Sequence, residues 1–407
     1  MPDLYFDTNA TTPVLPEIVQ AMRPFWTDHF GNASSTHPEG RAARKALRDA
    51  RRQIALLVGA AEDQEILLTS GGTESNNTAL RSALVSSGKK HLVTSAVEHS
   101  SVRQLCRQLR KEGFRVTEIG VDREGRLKMD DLSRSLTGDT ALASFMMANN
   151  ETGVLFPVEA IGALVRERGI LFHVDAVQAA GKVPLCLKNS AIDFLSISAH
   201  KIYGPKGVGA LYVKKSVPFH PLIWGGSQQR GKRAGTENVP GVVGFGAACQ
   251  IAMENLEKEM TRLGELRNEF EKEISARING VTLHGMNVPR LANTSSMRFQ
   301  NVSAETLIAA LEQKGICVST GSACMSGSSE PSHVLTAMGI SAEETLSAAR
   351  FSFGYFTRRE DIQILISELE SAVNRLRRIK ESDLSSPNVF VGDPFEMDSR
   401  VRGNDMK

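Results

Sequence analysis

Two residues suited to carbonyl chemistry each close an apolar stretch of this chain. Lys201 follows the stretch "FLSIS" and precedes a glycine-rich turn in "SAHKIYGPKG". A lysine that closes a buried strand is partly desolvated, which favours the neutral amine that forms a Schiff base with an aldehyde. Asp175 ends the stretch "ILFHVD", where a buried carboxylate needs a cation or several donors. A surface lysine and a helix N-cap are the alternative interpretations.

Pyridoxal phosphate would supply the cation that a buried Asp175 needs, because a buried acid keeps the ring nitrogen of that cofactor protonated. Asp175 and Lys201 both lie at predicted strand ends, where open α/β sheets bind ligands. The segment "LLTSGGTESNNTAL" adds a strand, a Gly-Gly turn and a helix that opens at Thr73. Backbone amides and the Thr73 hydroxyl therefore predict a phosphate site. A turn that only reverses the chain is the alternative.

Three further side chains are candidates at the same edge of the predicted sheet. His99 follows the strand in "TSAVEHSSV" and is placed to stack on a planar cofactor and to move protons. Asn150 comes to a strand end in "MMANNETGV". Arg350 lies in the apolar run "RFSFGYFT", where a planar guanidinium suits a substrate carboxylate. A structural histidine, a turn asparagine and an internal ion pair are the respective alternatives.

A single cysteine lies among small and polar residues in "STGSACMSGSSEP", which predicts a loop that displays the thiol of Cys324. The five cysteines are scattered without C-x-x-C spacing, so no disulfide framework, structural zinc site or tightly bound metal is predicted. A net charge of +2 gives no reason to expect nucleic acid or an anionic membrane as the main partner. The sequence predicts a soluble protein of a reducing cytoplasm.

The elements that must position these residues alternate between helix and strand from about residue 40 to 250, which predicts a mainly parallel sheet covered on both faces. A long amphipathic helix, roughly "FGAACQIAMENLEKEMTRLGELRNEFEKEI", then interrupts the alternation. A second α/β pattern follows it, and its strand "ICVST" leads into the cysteine loop. The last helix is predicted to begin at Thr357, whose spacing to Glu360 fits a capping box.

The pattern therefore predicts an α/β protein with two domains. The large domain covers residues 16–262, and a smaller α/β domain combines residues 1–15 with 263–380. The smaller domain carries the cysteine loop, residues 319–331. Residues 381–407 have no periodicity and are predicted to form a disordered tail.

The motifs together resemble the pyridoxal-phosphate-dependent cysteine desulfurases of the class V aminotransferase family. In chain order they are "NATTP", "SGGTES", "EHSSV", "NNETG", "HVDAVQ", "SAHKIYGPKGVGALY", "RAGTEN" and "STGSACMSG…EPSHVL". The likeness runs from residue 4 to about residue 378. It implies the PLP fold-type I architecture, a homodimer, pyridoxal 5'-phosphate as cofactor, and conversion of L-cysteine to L-alanine.

The resemblance also implies a role for each matching residue. Lys201 matches the Schiff-base lysine, Asp175 the partner of the ring nitrogen, and His99 the residue stacked on the ring. Gln178 matches the donor to the ring hydroxyl. Two residues match those that hold the cofactor hydroxyl and the substrate carboxylate, namely Asn150 and Arg350. The phosphate ligands are matched by Gly72, Thr73, Ser198, His200 and, from the neighbouring subunit, Thr236.

Cys324 matches the family's nucleophile, which attacks the substrate's sulfur and becomes a persulfide, and His99 is the candidate that assists its ionisation. The long loop resembles the extended-loop branch and leans toward the nitrogen-fixation type, although Met325 replaces a small hydroxyl residue common in relatives. The sulfur is expected to pass to a scaffold that builds iron–sulfur clusters, with Cys324 as a transient cluster ligand. The alternatives are another PLP fold-type I enzyme (an aminotransferase or a selenocysteine lyase) and a non-catalytic sulfur carrier.

Overall fold

The computed structural model describes residues 4–321 and 331–385, with side chains described as far as residue 380. The strands in these ranges are β1 (Leu4–Tyr5), β2 (Ile66–Thr69), β3 (His91–Ser95), β4 (Arg115–Ile119), β5 (Thr140–Met146), β6 (Leu171–Asp175), β7 (Phe194–Ser198), β8 (Gly209–Val213), β9 (Val281–Leu283), β10 (Thr294–Phe299), β11 (Ile316–Cys317) and β12 (Ala348–Ser352). The helices are α1 (Pro16–Met22), α2 (Pro24–Thr27), α3 (Pro38–Val58), α4 (Gly72–Ser87), α5 (Ser100–Lys111), α6 (Met129–Ser135), α7 (Val158–Glu167), α8 (Val239–Arg277), α9 (Ala304–Glu312), α10 (His333–Ala337), α11 (Ala342–Thr345) and α12 (Arg359–Ser385).

Seven strands form the central sheet, in the order β2-β8-β7-β6-β5-β3-β4. Only β8 runs against its neighbours, so the other six strands end at one edge of the sheet. The stretches "ILFHVD" and "FLSIS" that the sequence marked as strands form β6 and β7. The carboxyl ends of parallel strands form the edge where such sheets bind ligands, and Asp175 and Ser198 lie there as the last residues of β6 and β7.

Helices cover both faces of this sheet, as predicted. On one face α4 and α5 pack through residues such as Leu80 and Leu105. On the other face α3 and α8 pack through residues such as Leu47 and Phe245. Because both faces are covered, most of the strands are buried along their whole length rather than at alternate residues. The mainly parallel α/β fold predicted from the sequence is confirmed.

A second hydrophobic cluster belongs to the carboxyl-terminal part of the chain and to the first strand. The antiparallel strands β12-β10-β9 and the parallel pair β1-β11 carry it together with α9 and α12. The 39-residue helix α8 connects this cluster to the core between the central sheet and α3. Phe270 of α8 packs in this cluster, whereas Phe245 packs in that core. We retain the division into residues 16–262 and residues 1–15 with 263–380 as a proposal, which this separation of clusters supports.

Three local predictions differ from the structure. The last helix begins at Arg359 rather than Thr357, because the Thr357 hydroxyl accepts a hydrogen bond from the Gly354 amide and Asp361 accepts from the Arg358 amide. The same helix continues to Ser385, past the predicted start of the tail, and residues 386–407 lie outside the described residues. The predicted strand "ICVST" is regular only over β11, although Ser319 makes an isolated bridge to Arg350. None of the described helices has an apolar stretch of the length that a bilayer crossing needs.

Candidate functional site

A cavity of about 220 Å³ lies at the carboxyl edge of the central sheet. Most of the residues predicted for the site line it together, although they come from five separate segments of the sequence. The predicted residues in its wall are Gly72, Thr73, His99, Asn150, Asp175, Gln178, Ser198, His200 and Lys201. A larger groove of about 1070 Å³ runs between the amino-terminal segment, α8 and residues 354–361, and its described lining includes none of the predicted site residues.

The Asp175 carboxylate is held at the end of β6 by two donors. Its Oδ2 accepts from Asn76 Nδ2 at 2.7 Å, and its Oδ1 accepts from the Val177 amide at 3.0 Å. Asp175 is only 6% exposed, and no helix begins after it, so it caps a turn rather than a helix. The sequence reasoning missed Asn76, whose position within "TESNNTAL" on α4 offered no distinguishing signal.

A hydrogen-bonded chain connects Asp175 to His99. Asn76 Nδ2 also donates to Ser101 Oγ at 2.9 Å, and that hydroxyl lies 2.9 Å from His99 Nδ1. His99 is the N-cap of α5, where its Nδ1 accepts from the Ser101 amide at 3.2 Å. An imidazole nitrogen that accepts from an amide carries no proton, so in the neutral ring the proton lies on Nε2. The structural role considered for His99 is therefore present, and it fixes the ring in the cavity wall.

The amino terminus of α4 forms a close-packed corner of the cavity. Gly71 has φ of 151°, a conformation that favours glycine. A Cβ atom on Gly72 would lie 2.7 Å from Val177 Cγ2, so only glycine lets the helix approach the turn after β6. The helix exposes unpaired backbone amides there, which together with the Thr73 hydroxyl suit an anion.

Lys201 lies in a 3-10 turn, Ala199–Lys201, directly after β7. Its Nζ donates to the backbone carbonyls of Asn9 at 2.5 Å and Ala10 at 2.8 Å. The amino-terminal segment is itself held against this turn, because the amide and hydroxyl of Thr12 both donate to the His200 carbonyl at 3.0 Å. The motif "NATTP" therefore packs directly on the lysine turn.

Asn9 and Lys182 are two further residues that the sequence reasoning missed. Gln178 Nε2 donates to the Asn9 carbonyl at 2.9 Å, and Lys182 Nζ donates to Gln178 Oε1 and Asn9 Oδ1 at 3.1 and 3.2 Å. Burial lowers the pKa of Lys182 to about 7, and the positive charges of Lys201 and Arg350 add to that effect. The position of Asn9 inside a quoted motif was the one signal available.

His200 is held neutral by its surroundings. Burial is the main cause that lowers the pKa of its imidazole to about 4, and the charges of Lys201, Lys206 and Lys182 act in the same direction. Its Nδ1 lies 3.1 Å from the Thr11 hydroxyl. A cavity whose cations depress a histidine in this way favours a negatively charged ligand.

Arg350 lies on β12 and reaches the site from the side opposite α4. Its Nη1 donates to the Asn150 carbonyl at 2.9 Å, and its Nη2 pairs with Asp7 Oδ1 at 2.5 Å. The internal ion pair considered as an alternative is therefore present. Arg350 Nε is buried and has no hydrogen-bond partner among the described residues.

Glu98 lies directly before His99 and is fully buried. Its Oε1 accepts from Ser95 Oγ at 2.6 Å and from the Met146 amide at 3.0 Å. Its Oε2 has no hydrogen-bond partner among the residues described here. Burial raises the pKa of Glu98 to about 8, and the nearby charge of Asp175 acts in the same direction, against the two hydrogen bonds.

Two of the predicted residues that the structure describes, Arg350 and Thr236, do not line the cavity of this single chain, and Arg350 borders it through the Asn150 carbonyl. Thr236 is exposed, and its segment is tied to the first turn of α4 by an ion pair between Arg233 and Glu74 at 2.9 Å. Cys324, like Met325 beside it, lies outside the described residues.

The residues present fit pyridoxal phosphate. An acid and a lysine share one cavity with hydroxyl and amide donors for a phosphate, and Asn76 Oδ1 is buried there without a hydrogen-bond partner among the described residues. Asp175 would hold the ring nitrogen, and Lys201 would bind the aldehyde. The phosphate would bind at Gly72, Thr73, Ser198 and His200.

Comparison with known proteins gives the class of this fold and site. A family model described as aminotransferase class-V matches residues 4–365. The cysteine desulfurase of Trichormus azollae is 48% identical over 377 residues, which cover 92% of this chain and 94% of that protein. A solved NifS-like protein superposes with a TM-score of 0.86 at 35% identity, covering 91% of this chain and 99% of the other. A structure titled "SspA in complex with cysteine" has a TM-score of 0.77 at 35% identity and covers 86% and 98%.

The chain therefore belongs to the aminotransferase class-V family and, within it, to the cysteine desulfurases. The family predicted from the motifs is confirmed, and so is its enzymatic class. The likeness covers nearly the whole of each relative, so it concerns the complete fold rather than one domain. The roles of individual site residues remain predictions.

Proposed function

We propose that this protein uses pyridoxal 5'-phosphate to convert L-cysteine to L-alanine and transfers the sulfur to Cys324 as a persulfide. The observation that carries the proposal is the single cavity in which Lys201, Asp175 and His99 meet. The solved relative titled as a complex with cysteine supports this substrate. When bound, the cofactor supplies an aldehyde for the substrate amine and a ring that delocalises a carbanion.

Asp175 and Lys201 perform the two roles that the cofactor cannot perform alone. The Asp175 carboxylate, held by Asn76 and Val177, supplies the negative charge that a protonated ring nitrogen needs. Lys201 Nζ would be the base that takes the proton of the substrate Cα. Gln178, held by Asn9 and Lys182, orients its amide toward the ring hydroxyl.

Arg350 binds the substrate carboxylate, and Asn150 lies between it and the cavity. A guanidinium suits a carboxylate because its donors match two oxygens in a plane. His99 carries its neutral-state proton on Nε2, so Nε2 is the atom that donates a hydrogen bond to the reacting groups or to the Cys324 thiolate.

The sulfur transfer needs no external oxidant. The Cys324 thiolate attacks the substrate's sulfur, so a sulfur–sulfur bond forms as the carbon–sulfur bond breaks. The bonding pair stays on the carbon, which takes up a proton and is released as L-alanine. A thiol then reduces the persulfide and frees sulfide, or an acceptor protein takes the sulfur.

We further propose that the acceptor is a scaffold for iron–sulfur clusters and that Cys324 serves as a transient cluster ligand. A homodimer is proposed as well, because Thr236 is exposed in the single chain. In that dimer, Thr236 of the partner subunit would complete the phosphate site. A cytoplasmic location and a nitrogen-fixation-type role remain predictions from the sequence.

The proposal is tested with Cys324→Ala, assayed for alanine and sulfide from L-cysteine in the presence of a thiol. We expect the variant to lose sulfide and alanine production while its cofactor absorbance remains. Cys186→Ala is the matched control, because Cys186 is an exposed cysteine far from the cavity lining. Undiminished turnover by Cys324→Ala would refute the persulfide mechanism and favour another PLP-dependent activity.

A further inference from the structure

The two ends of the segment that carries Cys324 meet at one buried carboxyl group, that of Glu151. Ser332 Oγ donates to Glu151 Oε2 at 2.5 Å. At the other end, a Cβ atom on Gly321 would lie 2.6 Å from the same oxygen. Glu151 is 2% exposed. Residues 321 and 332 thus touch one side chain, although eleven positions separate them in the sequence.

Glu151 is held rigidly in its own turn. Asn149 Oδ1 accepts from the amides of Glu151 and Thr152, each at 2.9 Å. Asn149 Nδ2 in turn donates to the Val97 carbonyl at 3.3 Å. The motif "NNETG" therefore fixes the Glu151 backbone to the segment that leads into His99, so the carboxyl group has a defined place beside the cavity.

Both ends are also tied to other elements of the site. Arg350 Nη1 lies 3.4 Å from the Gly321 carbonyl, and the Arg350 backbone exchanges two hydrogen bonds with Ser319. Ser332 is the N-cap of α10, where its Oγ accepts from the Leu335 amide at 3.1 Å. We call Glu151, Gly321, Ser332 and Arg350 the anchor cluster.

Helix α10 has a second tie to the cavity wall. Burial is the main cause that lowers the pKa of His333 to about 4, so the ring is neutral near pH 7. Its Nε2 lies 3.0 Å from the Glu98 carbonyl and donates to it. Glu98 directly precedes His99. The hydrogen bond therefore fixes α10 beside the residue that is predicted to stack on the cofactor.

The charges around Glu151 are positive. Burial raises the pKa of its carboxyl group, whereas the Ser332 hydrogen bond and the nearby Arg350, Arg103 and His99 oppose that rise. An ionised carboxylate in this position accepts from Ser332 and lies in the positive potential of Arg350 and Arg103. A group that served only to fill space would need neither the charge nor the hydroxyl partner.

We propose that Glu151 is a positioning residue for the desulfurase reaction, because its carboxyl group accepts from Ser332 and packs closely against Gly321 and so sets the place from which Cys324 meets the substrate. This inference rests on the proposed function. It concerns sulfur transfer alone, so substrate binding by the cavity should be nearly independent of Glu151.

The test compares Glu151→Ala and Glu151→Gln in the PLP-loaded enzyme. Two quantities are measured, the Kd of L-cysteine from the change in cofactor absorbance and the single-turnover rate of persulfide formation on Cys324. Because displacement of a reacting group by about 1 Å costs roughly 10²-fold in rate, Glu151→Ala should slow persulfide formation about 100-fold. The Kd should change much less, and Glu151→Gln should restore most of the rate because its amide oxygen can accept from Ser332.

Thr336→Val is the matched control. The Thr336 hydroxyl donates to the Ser332 carbonyl at 2.7 Å within α10 but does not contact Glu151. Loss of the Thr336 hydroxyl loosens the same helix turn but keeps the hydrogen bond between Ser332 and Glu151. The persulfide rate of Thr336→Val should therefore stay near that of the wild type. Equal losses of rate in Thr336→Val and Glu151→Ala would overturn the inference, since general loosening of α10 would then explain both.

A second variant covers the case in which Glu151→Ala does not fold. Gly321→Ala places a methyl group against the Glu151 carboxyl from the other end of the segment, and it should slow persulfide formation while the Kd is preserved. An unchanged rate, or a Kd that weakens in proportion to the rate, would overturn the inference. If the wild-type enzyme itself forms no persulfide, the proposed function fails; a normal wild-type enzyme with unaffected variants refutes only the role of Glu151.

Discussion

The cavity and the anchor cluster lie side by side but are built in different ways. The cavity wall consists of the carboxyl ends of strands in one sheet and the first turns of the helices that follow them. Hydrogen bonds such as those from Asn76 to Asp175 and from Lys201 to the Asn9 carbonyl join these elements. The anchor cluster brings together β12, α10 and a turn after β5, and it holds a segment through a few side-chain contacts. The first region has one fixed geometry for a planar ligand. The second, in our proposal, sets the position of Cys324, which must also deliver its sulfur to an acceptor.

The difference indicates how the two halves of the reaction are separated. Groups that bind the cofactor need fixed positions, because electrostatic stabilisation depends on donors placed in advance. Under the proposed function the Cys324 thiol must approach the substrate and then reach an acceptor, and the anchor cluster contacts the residues on either side of the segment that carries it. Arg350 belongs to both regions, since its guanidinium contacts the Asn150 carbonyl and the Gly321 carbonyl.

The largest expected effect comes from the cavity. Lys201→Ala removes both the amine that binds the aldehyde and the base that moves the Cα proton, so turnover should fall by at least about 10³-fold. The measurement is alanine release from L-cysteine, together with the cofactor absorbance that borohydride bleaches in the wild type. Lys206→Ala is the control, since Lys206 is exposed on the same turn. Substantial turnover by Lys201→Ala would contradict the assignment of the amine.

Arg350→Lys tests the residue shared by the two regions. The substitution keeps the charge but loses the planar fork, and a hydrogen bond to a charged group contributes about 1.5–3 kcal/mol. We therefore expect KM for L-cysteine to rise about 10- to 100-fold, at 1.4 kcal/mol per factor of ten. Initial rates over a range of L-cysteine concentrations give this value. An unchanged KM would assign Arg350 to the Asp7 ion pair alone.

Arg350→Lys also separates the regions by a second readout. Loss of the contact with the Gly321 carbonyl should slow persulfide formation on Cys324 even at saturating L-cysteine, because that contact holds one end of the segment. A change in KM without any change in the saturated rate would restrict Arg350 to the cavity.

The smallest expected effect concerns stability and the buried acid behind His99. The pKa of Glu98 is raised to about 8 in the folded protein by burial, so the folded state holds a proton that the unfolded state releases near pH 4.5. Stability from this group is therefore present below about pH 4.5 and is lost as the pH rises toward 8. Glu98→Gln should remove that part of the pH dependence. The comparison uses thermal melting from pH 5 to pH 8, and identical slopes for wild type and variant would contradict the raised pKa.

The sequence predicted the cavity better than the anchor cluster for a physical reason. Strand ends such as Asp175 and Ser198 follow apolar stretches whose length and composition indicate buried strands, and parallel strands then bring those ends together. The resemblance of the motifs to those of the cysteine desulfurases then predicted a role for each of these residues. No such rule connects Asn9 with Lys182, or Glu151 with Ser332, because these contacts depend on how distant segments pack.

One wrong prediction and one element that was not predicted show the same limit. Thr357 and Glu360 have capping-box spacing, but the Thr357 hydroxyl is engaged by the Gly354 amide, so the helix begins two residues later. The sequence analysis placed Arg350 in an apolar run but predicted no strand or helix for it. In the structure it is the middle residue of β12 and pairs with Ser296 on β10. In both cases a neighbouring chain segment, invisible in the local pattern, decides the outcome.

The most direct test of the account is mass spectrometry of the Cys324 peptide after a single turnover with L-cysteine. The account predicts one additional sulfur atom on Cys324 in the wild type, formed in step with L-alanine, and none in Lys201→Ala. Alanine that appears at the normal rate while Cys324 never gains sulfur would contradict it.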